Sequence, residues 1–503
     1  MAITFANIPD TIRTPNVYAE IDSSRALQGL VQNPHLALIV GQRTSAGKIP
    51  VDTLVQISRE GLADGYFGPG SILSRMCSVF KDNNPNTELW ALALADGGAA
   101  VAASATLHVS VGLSANGNSC KGGGTFYLMI NGQKVYVALT SGWSAKDVNS
   151  AIQTTVNGSA YSHLPVKAST NATSALNLIA VCPGEAGNYL DVRYNYYTGQ
   201  SLPSAFYGDS VLISGFAGGT VNPDLASAWA VIGDKRFHHI IQPYIDSSNL
   251  TDLEDELEDR FGPLVDQQGH GYAAVRGTQA SCTTLGNSRN SPHNTIIGVY
   301  DSPTDPAEWA AALGAVGAWN LNGDPARPLQ FLKLKEVLPP PVESRFTRAE
   351  RDILLYDGIS TFIVDTGGSV LTERIITTYQ ANALGLPDPA YLDIETLFTL
   401  GEIRDQFRIR MTNRYLEPRY KLADDTFPTL PGSYVVRPKD VKAECIALFT
   451  LLRDKGLIEN LEDFVKNIVV ERDETDRNRV NVLLPPDLIN QFRILAGLIQ
   501  FIL

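Results

Sequence analysis

The chain has 503 residues with 40 Lys or Arg against 53 Asp or Glu, so its net charge is −13. At roughly 100–200 residues per domain this length predicts three or four domains. A hydrophobic content of 44% excludes a fully disordered chain. The acidic balance argues against nucleic acid as a partner, because phosphate binding needs a surplus of basic side chains.

The spacing of the cysteines and the composition of the chain ends indicate the cellular compartment of the protein. The five cysteines are odd in number and far apart, which favours reduced, buried thiols over a disulfide framework. The N-terminus lacks the apolar region of a signal peptide. The apolar tail Ile494–Leu503 is about half the roughly 20 residues that a membrane helix needs. We therefore expect a soluble protein, made in a cytoplasm, that does not enter a membrane.

Charge density predicts an inserted domain at 101–220. This stretch carries 9 charged side chains in 120 residues and is rich in Gly, Ser, Thr, Asn and Ala. Asn131-Gly132 joins two predicted strands and is a strong hairpin signal, because both turn positions need positive φ. We predict an all-β sandwich that folds largely by itself.

On both sides of the insertion, strands and helices alternate. Continuous apolar runs such as His35–Gly41 and Glu88–Ala95 are typical of strands buried on both faces. A helix is expected from about Val51 to Phe80. The alternation predicts a doubly wound α/β core made of 26–100 and 221–335.

The triple proline 339–341 marks a change of pattern. Beyond it, a hairpin at Thr361–Glu373 and long helices at Leu392–Tyr415 and Pro438–Lys455 predict an α+β domain over 336–478. The remaining ends are predicted to be extended arms, at 1–25 and 479–503.

No catalytic or cofactor motif is recognisable. The loop Gly41–Lys48 departs from the P-loop pattern, and neither a dinucleotide loop, a nucleophile elbow nor a zinc-binding His-Glu-x-x-His motif occurs. We expect no enzymatic activity, no cofactor and no metal. The alternative from another class is an α/β hydrolase, subtilase-like, with a β accessory domain.

Two charged helix faces have open interpretations. The helix Thr251–Phe261 places apolar residues on one stripe and acidic residues opposite, which predicts either a solvated face or a docking surface for a basic partner. The helix Leu392–Tyr415 carries arginines that either form structural salt bridges or contact an acidic partner such as a tube protein: Arg404, Arg408, Arg410 and Arg414.

The apolar chain ends are the strongest functional signal. Val17, Ala19 and Ile21 alternate with polar residues at strand period. The tail is nearly uncharged, and Pro485–Gln491 before it is predicted to be a free link spanning roughly 23 Å. An unpaired apolar strand invites association, so these ends either fold back or add to a neighbour's sheet. The predicted contacts of the tail are Ile494, Leu498, Phe501 and Leu503.

Several segments in order resemble the sheath proteins of contractile phage tails, of the Mu-like type. They are Ile8–Ala26, Ala37–Gln42, Phe67–Met76, Leu354–Thr366, Glu373–Asn382, Tyr391–Thr396 and Asn478–Leu503. The resemblance implies hexameric rings stacked around a tail tube, with baseplate and tail terminator proteins as further partners. It implies contraction that drives the tube through the host envelope, and a subtilisin-like topology for the α/β core. A bacterial secretion-system sheath is the third interpretation.

Overall fold

The computed structural model of the protein describes residues 14, 30, 33–109, 122–170, 175–202, 211–428 and 434–502. It divides into two compact units. We call Pro34–Phe398 with Gln491–Leu503 the sheet unit, and Thr399–Asn490 the C-terminal unit. None of the helices in these described ranges is long and apolar enough to cross a membrane.

Buried apolar runs before the insertion form strands, and a capped helix follows them. Ser71 caps that helix by accepting a hydrogen bond from the Ser74 amide at 3.1 Å. The elements are β1 (Leu36–Gln42), β2 (Leu54–Ile57), α1 (Leu62–Phe67), α2 (Ile72–Asn83) and β3 (Glu88–Leu94). The single helix predicted from Val51 to Phe80 is wrong, because its first part pairs with β3 as a strand and Gly68 and Gly70 adopt positive φ between the two short helices.

The insertion has its own apolar core, and its two ends, Val101 and Thr220, pair with each other. Its elements are β4 (Ser104–Val109), β5 (Gly124–Ile130), β6 (Gln133–Leu139), α3 (Ala145–Val156), β7 (Val166–Thr170), β8 (Ala175–Ala180), β9 (Val192–Tyr194) and β10 (Val211–Ile213). They form two antiparallel sheets, in the orders β10-β4-β8-β7 and β6-β5-β9. The predicted hairpin turn is confirmed, with φ of 50° at Asn131 and 76° at Gly132.

The prediction of an all-β insertion is wrong. Helix α3 begins at a capping box between Ser144 and Asp147 and buries Val148, Ile152 and Val156 in the core of the insertion. These apolar residues recur at the helical period of about 3.6 residues. The insertion is therefore an α+β structure.

Strands and helices alternate again after the insertion, as the sequence predicts. The elements are α4 (Ala226–Ile232), β11 (His239–Ile241), α5 (Ser247–Phe261), β12 (His270–Arg276), α6 (Gln279–Asn287), β13 (Asn294–Val299), α7 (Pro306–Gly323), β14 (Lys333–Leu334), α8 (Arg348–Tyr356), β15 (Ile359–Val364) and β16 (Val370–Arg374). Asp305 caps α7, and Pro306 opens it, where its missing amide hydrogen costs nothing.

One nine-stranded sheet is the centre of the sheet unit. Its order is β14-β16-β15-β13-β12-β11-β1-β3-β2, and the six strands from β15 to β3 are parallel. Strand β12 shows that both faces are covered. Tyr272 packs towards Gly317 of α7, whereas Ala273 and Val275 share a core with Leu250 of α5. A mixed α/β fold is therefore observed.

The C-terminal unit is built on short strands and two packed helices. Phe449 and Phe464 stack in its core, with ring centroids 4.0 Å apart. Helix α9 (Ile394–Met411) enters it from the sheet unit and is followed by β17 (Lys421–Leu422), β18 (Val435–Val436), α10 (Pro438–Asp454), β19 (Ile458–Glu459), α11 (Leu461–Asn467), β20 (Val469–Arg472), β21 (Val480–Leu483) and β22 (Asp487–Leu488).

The domain boundary predicted at residue 336 does not match this division. The predicted hairpin at Thr361–Glu373 exists as β15 and β16, but β15 pairs with β13 and so extends the large sheet. The compact C-terminal unit starts at Thr399. The sequence pattern misplaces the boundary because the pairing of β15 with β13 joins segments about 60 residues apart.

Candidate assembly interface

The segment before the C-terminal arm is paired, and the free link predicted at Pro485–Gln491 is wrong. Strand β22 pairs with β19, placing Leu488 opposite Ile458. The Ile489 amide also donates to the Leu457 carbonyl at 3.2 Å. The two prolines end β21 as predicted, but the chain resumes pairing directly after them.

Shortly after this paired segment, Arg493 attaches the chain to the sheet unit through buried ion pairs. Its Nη2 lies 2.9 Å from Asp393 Oδ1 and 2.9 Å from Glu395 Oε2. Asp393 also accepts from Arg374, and Glu395 accepts from the Leu329 amide at 2.7 Å. Burial raises the pKa of Glu395, and the charge of Arg493 opposes that rise. The sequence analysis missed this cluster, whose only local signal is one arginine within an apolar tail.

From Ile494 onwards the chain is an exposed apolar arm. We call residues 494–502 the free arm. None of its residues pairs with a strand of the described chain. Its large apolar side chains are 78–99% exposed, namely Ile494, Leu495, Leu498, Ile499, Phe501 and Ile502. Three predicted contact residues, Ile494, Leu498 and Phe501, are thus available to a partner.

The other predicted arm contacts are near the N-terminus and at the last residue. Val17, Ala19 and Ile21 lie outside the described residues, as does Leu503. Their pairing with another subunit stays a prediction from the sequence.

The C-terminal unit carries a β-ribbon with free edges. Strands β20 and β21 form a two-stranded sheet in the described chain. Val469 and Leu483 lie opposite each other and are 46% and 60% exposed. Two-stranded ribbons are marginal alone, and their outer edges present unpaired backbone groups to a further strand. The ribbon can therefore accept an added strand.

Arg408, Arg410 and Arg414 make ion pairs inside the C-terminal unit. Arg410 pairs with Glu444 of α10, and Arg414 Nε lies 3.8 Å from the same carboxylate. Arg408 pairs with Asp405 at 3.2 Å. Arg404 lies half-buried on the same helix. Arg408 and Arg414 are 50% and 58% exposed in their side chains, so a partner can still reach them.

The acidic face of α5 is placed as predicted. Leu253 and Leu257 are buried, whereas Asp255 and Asp259 are exposed. Burial and like charges raise the pKa of Asp252 on this face. The docking of a basic partner on this face stays a prediction from the sequence.

Two ion clusters, one buried and one half-buried, join the insertion to the carboxyl ends of the parallel strands. In the first, Arg75 pairs with both Asp305 and Glu308, and Asn131 of the insertion donates to Glu308 at 2.9 Å. Burial raises the pKa of Glu308 to about 7; the charge of Asp305 adds to the rise, and the charge of Arg75 opposes it.

In the second cluster, Asp191 of the insertion bridges two arginines. It pairs with Arg193 at 2.7 Å and with Arg276, the last residue of β12, at 2.8 Å. Arg193 also contacts Asp301, just after β13, at 2.6 Å. Open α/β enzymes bind substrates at this edge. Here the same edge carries ion pairs to the insertion.

Buried histidines line the opposite edge, at the amino ends of the strands. His35 Nδ1 lies 3.0 Å from His239 Nε2, and His239 Nδ1 lies 2.9 Å from Tyr272 Oη. His270 contacts Thr295 Oγ1 at 2.8 Å. Burial lowers the pKa of His35 to about 3 and holds the pKa values of His239 and His270 well below their usual range, so these imidazoles are neutral at pH 7. Among the described residues, no group of three or more His, Cys, Asp or Glu could hold a metal ion.

Three solved sheath structures are similar to this chain, with TM-scores between 0.46 and 0.48. The sheath tail protein of Desulfitobacterium hafniense is 14% identical, with a TM-score of 0.47 and coverage of 94% of this chain and 100% of that one. That of Listeria innocua is 12% identical, with a TM-score of 0.48 and coverage of 93% and 94%. The anti-feeding prophage helical sheath in its contracted state is 10% identical, with a TM-score of 0.46 and coverage of 97% and 99%. With TM-scores below 0.5, these similarities do not carry the assignment.

Sequence relationships are decisive. The family model for the phage tail sheath protein central domain matches residues 218–378, and the model for the phage tail sheath C-terminal domain matches 387–502. The Mu-like prophage FluMu tail sheath protein of Haemophilus influenzae is 37% identical over 503 residues, covering all of both chains. The chain therefore belongs to the phage tail sheath protein family.

Proposed function

We propose that this chain is the structural subunit of a Mu-like contractile tail sheath. Subunits polymerise around a tail tube, and contraction of the polymer drives the tube through the host cell envelope. The observation that carries the proposal is the free arm, whose six large apolar side chains are 78–99% exposed. Contiguous exposed apolar surface of this kind marks a site of interaction with another surface.

The arm is suited to adding a strand to a neighbouring subunit. Its nine residues reach about 30 Å when extended. Each backbone hydrogen bond in a new ladder contributes about 0.5–1.5 kcal/mol net, and each fully buried Leu, Ile or Phe contributes about 1.5–3 kcal/mol. The β20–β21 ribbon is our candidate acceptor, because its edges are free in the described chain. The N-terminal residues Val17, Ala19 and Ile21 are proposed to form a second such strand.

Arm variants test this function. A chain ending at Ile494 keeps Arg493 and its ion pairs, and loses the remaining apolar residues of the arm. We expect folded monomers with the melting temperature of the full chain and no sheaths in electron micrographs. Ile499→Pro should act similarly by removing a ladder donor, whereas the matched control Ile499→Val keeps that donor and should assemble. Normal tubes from the shortened chain would contradict the proposal.

Further partners are proposed from the family resemblance. They are other copies of this chain in hexameric rings, the tail tube protein, the baseplate and the tail terminator. Of the three ion-paired arginines described above, Arg408 and Arg414 have the most exposed side chains. Arg408→Glu with Arg414→Glu should weaken association with purified tubes more than the control Arg453→Glu, whose side chain is 46% exposed in the last turn of α10. Equal binding by both variants would remove these arginines from the tube contact.

The remaining assignments concern chemistry and location. We propose that the subunit is not an enzyme, since the carboxyl edge of the parallel strands carries ion pairs to the insertion. Hydrolysis of peptides, esters and nucleoside triphosphates should stay at background. The nine-stranded core is proposed to have the subtilisin-like topology that the resemblance implies. The insertion is proposed to face away from the tube, and the protein to be made in the host cytoplasm and to reside in the virion tail.

A further inference from the structure

We propose that Arg493 is the positioning residue of the arm. Its ion pairs make the base of the arm part of the sheet unit, and so fix the length of the link to the neighbouring subunit. This inference rests on the proposed function, because it concerns an arm that a neighbour binds. It adds a residue-level role that is separate from strand pairing itself.

The change from attached to free chain occurs at one residue. The Arg493 side chain is 11% exposed, while its neighbours Phe492 and Ile494 are 71% and 82% exposed. Weaker contacts precede it: Gln330 Nε2 donates to the Phe492 carbonyl at 3.2 Å, and Gln491 lies 3.5 Å from the Ala326 carbonyl. Within residues 491–502, Arg493 is thus the one residue that makes ion pairs.

The partners of Arg493 are themselves fixed in the sheet unit. Asp393 accepts hydrogen bonds from Nε and Nη2 of Arg374, the last residue of β16, at 3.0 and 2.9 Å. Glu395 is 0% exposed, lies in the first turn of α9 and accepts the Leu329 amide. Removing Arg493 from this site would leave a buried carboxylate without its cation, which is strongly unfavourable. A pull on the arm is therefore transmitted to β16 and to the start of α9.

Without these ion pairs, the last attachment point before the arm would lie in the C-terminal unit instead of the sheet unit. Residue Asn490 is the last residue of the C-terminal unit, and Ile489 is hydrogen-bonded there. Release of residues 491–493 would add three residues of slack, or about 10 Å at full extension. The neighbour would then be linked to the C-terminal unit by a longer, looser connection. Arg493 consequently determines both the reach of the arm and the unit that it moves.

The test separates link geometry from assembly. Arg493→Met with Glu395→Gln removes the buried pair without leaving a net charge, and the Gln oxygen still accepts the Leu329 amide. Arg493→Lys keeps the charge, and Arg453→Met, on an exposed ion pair with Asp454, is the matched control. Full-length variants are assembled, and axial spacing between sheath layers is measured by cryo-electron microscopy alongside subunit melting curves.

We expect the double variant to assemble, with a melting temperature near that of the wild type. Its layer spacings should spread over several Å, up to roughly 10 Å, whereas Arg493→Lys and Arg453→Met keep a sharp spacing. Sharp spacing in the double variant would overturn the inference. If that variant does not fold, three glycines inserted between Arg493 and Ile494 decide, because they lengthen the link by three residues while the ion pairs of Arg493 remain: a broadened spacing supports the role, and wild-type spacing refutes it. Assembly by the chain ending at Ile494 would instead refute the proposed function.

Discussion

Replacing Glu308 by Gln tests the buried joint between the insertion and the nine-stranded sheet. Glu308 and Asp305 share the guanidinium of Arg75, and all three side chains are less than 10% exposed. Asn131 donates to the same Glu308 oxygen that Arg75 contacts. A Gln oxygen can accept from both donors, so the substitution removes a charge while the hydrogen bonds remain possible.

The expected effect depends on pH, and its sign follows from the raised pKa. A rise from 4.5 to about 7 in the folded protein corresponds to about 3 kcal/mol. Wild-type stability from this group is fully present below pH 4.5 and is lost as pH rises through about 7. Glu308→Gln does not undergo that loss. The unfolding free energy of Glu308→Gln minus that of the wild type should therefore rise by about 3 kcal/mol between pH 4.5 and 7, and by little more above pH 7.

Urea titrations of purified subunits at several pH values from 4.5 to 8 measure this difference. Arg75→Met is the contrasting variant, because it leaves two buried carboxylates without their cation and should cost about 3–5 kcal/mol at pH 7. A Glu308→Gln difference that is constant across this pH range would contradict a raised pKa for Glu308. Equal stability of Arg75→Met and wild type would show that the cluster does not stabilise the joint.

Three further predictions follow from burial and spacing. The lowered pKa of His35 predicts stability that is complete above pH 6.5 and falls as pH drops towards 3, so His35→Phe should make acid unfolding shallower. In α7, Gly314→Ala would place Cβ 2.4 Å from Ile241 and should destabilise by about 1–3 kcal/mol, whereas Gly323→Ala meets open space and should be neutral in the same melting assay. Deleting 101–220 should leave a core that still assembles, as electron microscopy can show, although the deletion also removes Asp191, which pairs with Arg276 at 2.8 Å.

Much of the parallel sheet could be predicted from the sequence, since its strands are continuous apolar runs. The predictions at His35–Gly41 and Glu88–Ala95 agree with β1 and β3 to within a residue or two. Low charge density favours β structure and therefore does not predict helix α3. Strand β2 was missed because its pairing with β3, not its local pattern, determines its conformation.

The candidate site shows the same division between local and long-range information. An apolar, uncharged tail is visible in the sequence, and its exposure follows from the lack of a partner in the described chain. The pairing of Arg493 with Asp393 and Glu395 joins residues about a hundred positions apart. No local period encodes such a contact, so only the folded chain reveals where the arm begins.

The most direct test of the account is a cryo-electron microscopy map of the assembled sheath that allows the chain to be traced through residues 494–502. We predict that this segment forms a strand hydrogen-bonded to a sheet edge of another subunit, with Leu498 and Phe501 shielded from solvent there. A map in which the free arm folds back onto its own subunit, or stays in solvent while the sheath is intact, would contradict the account.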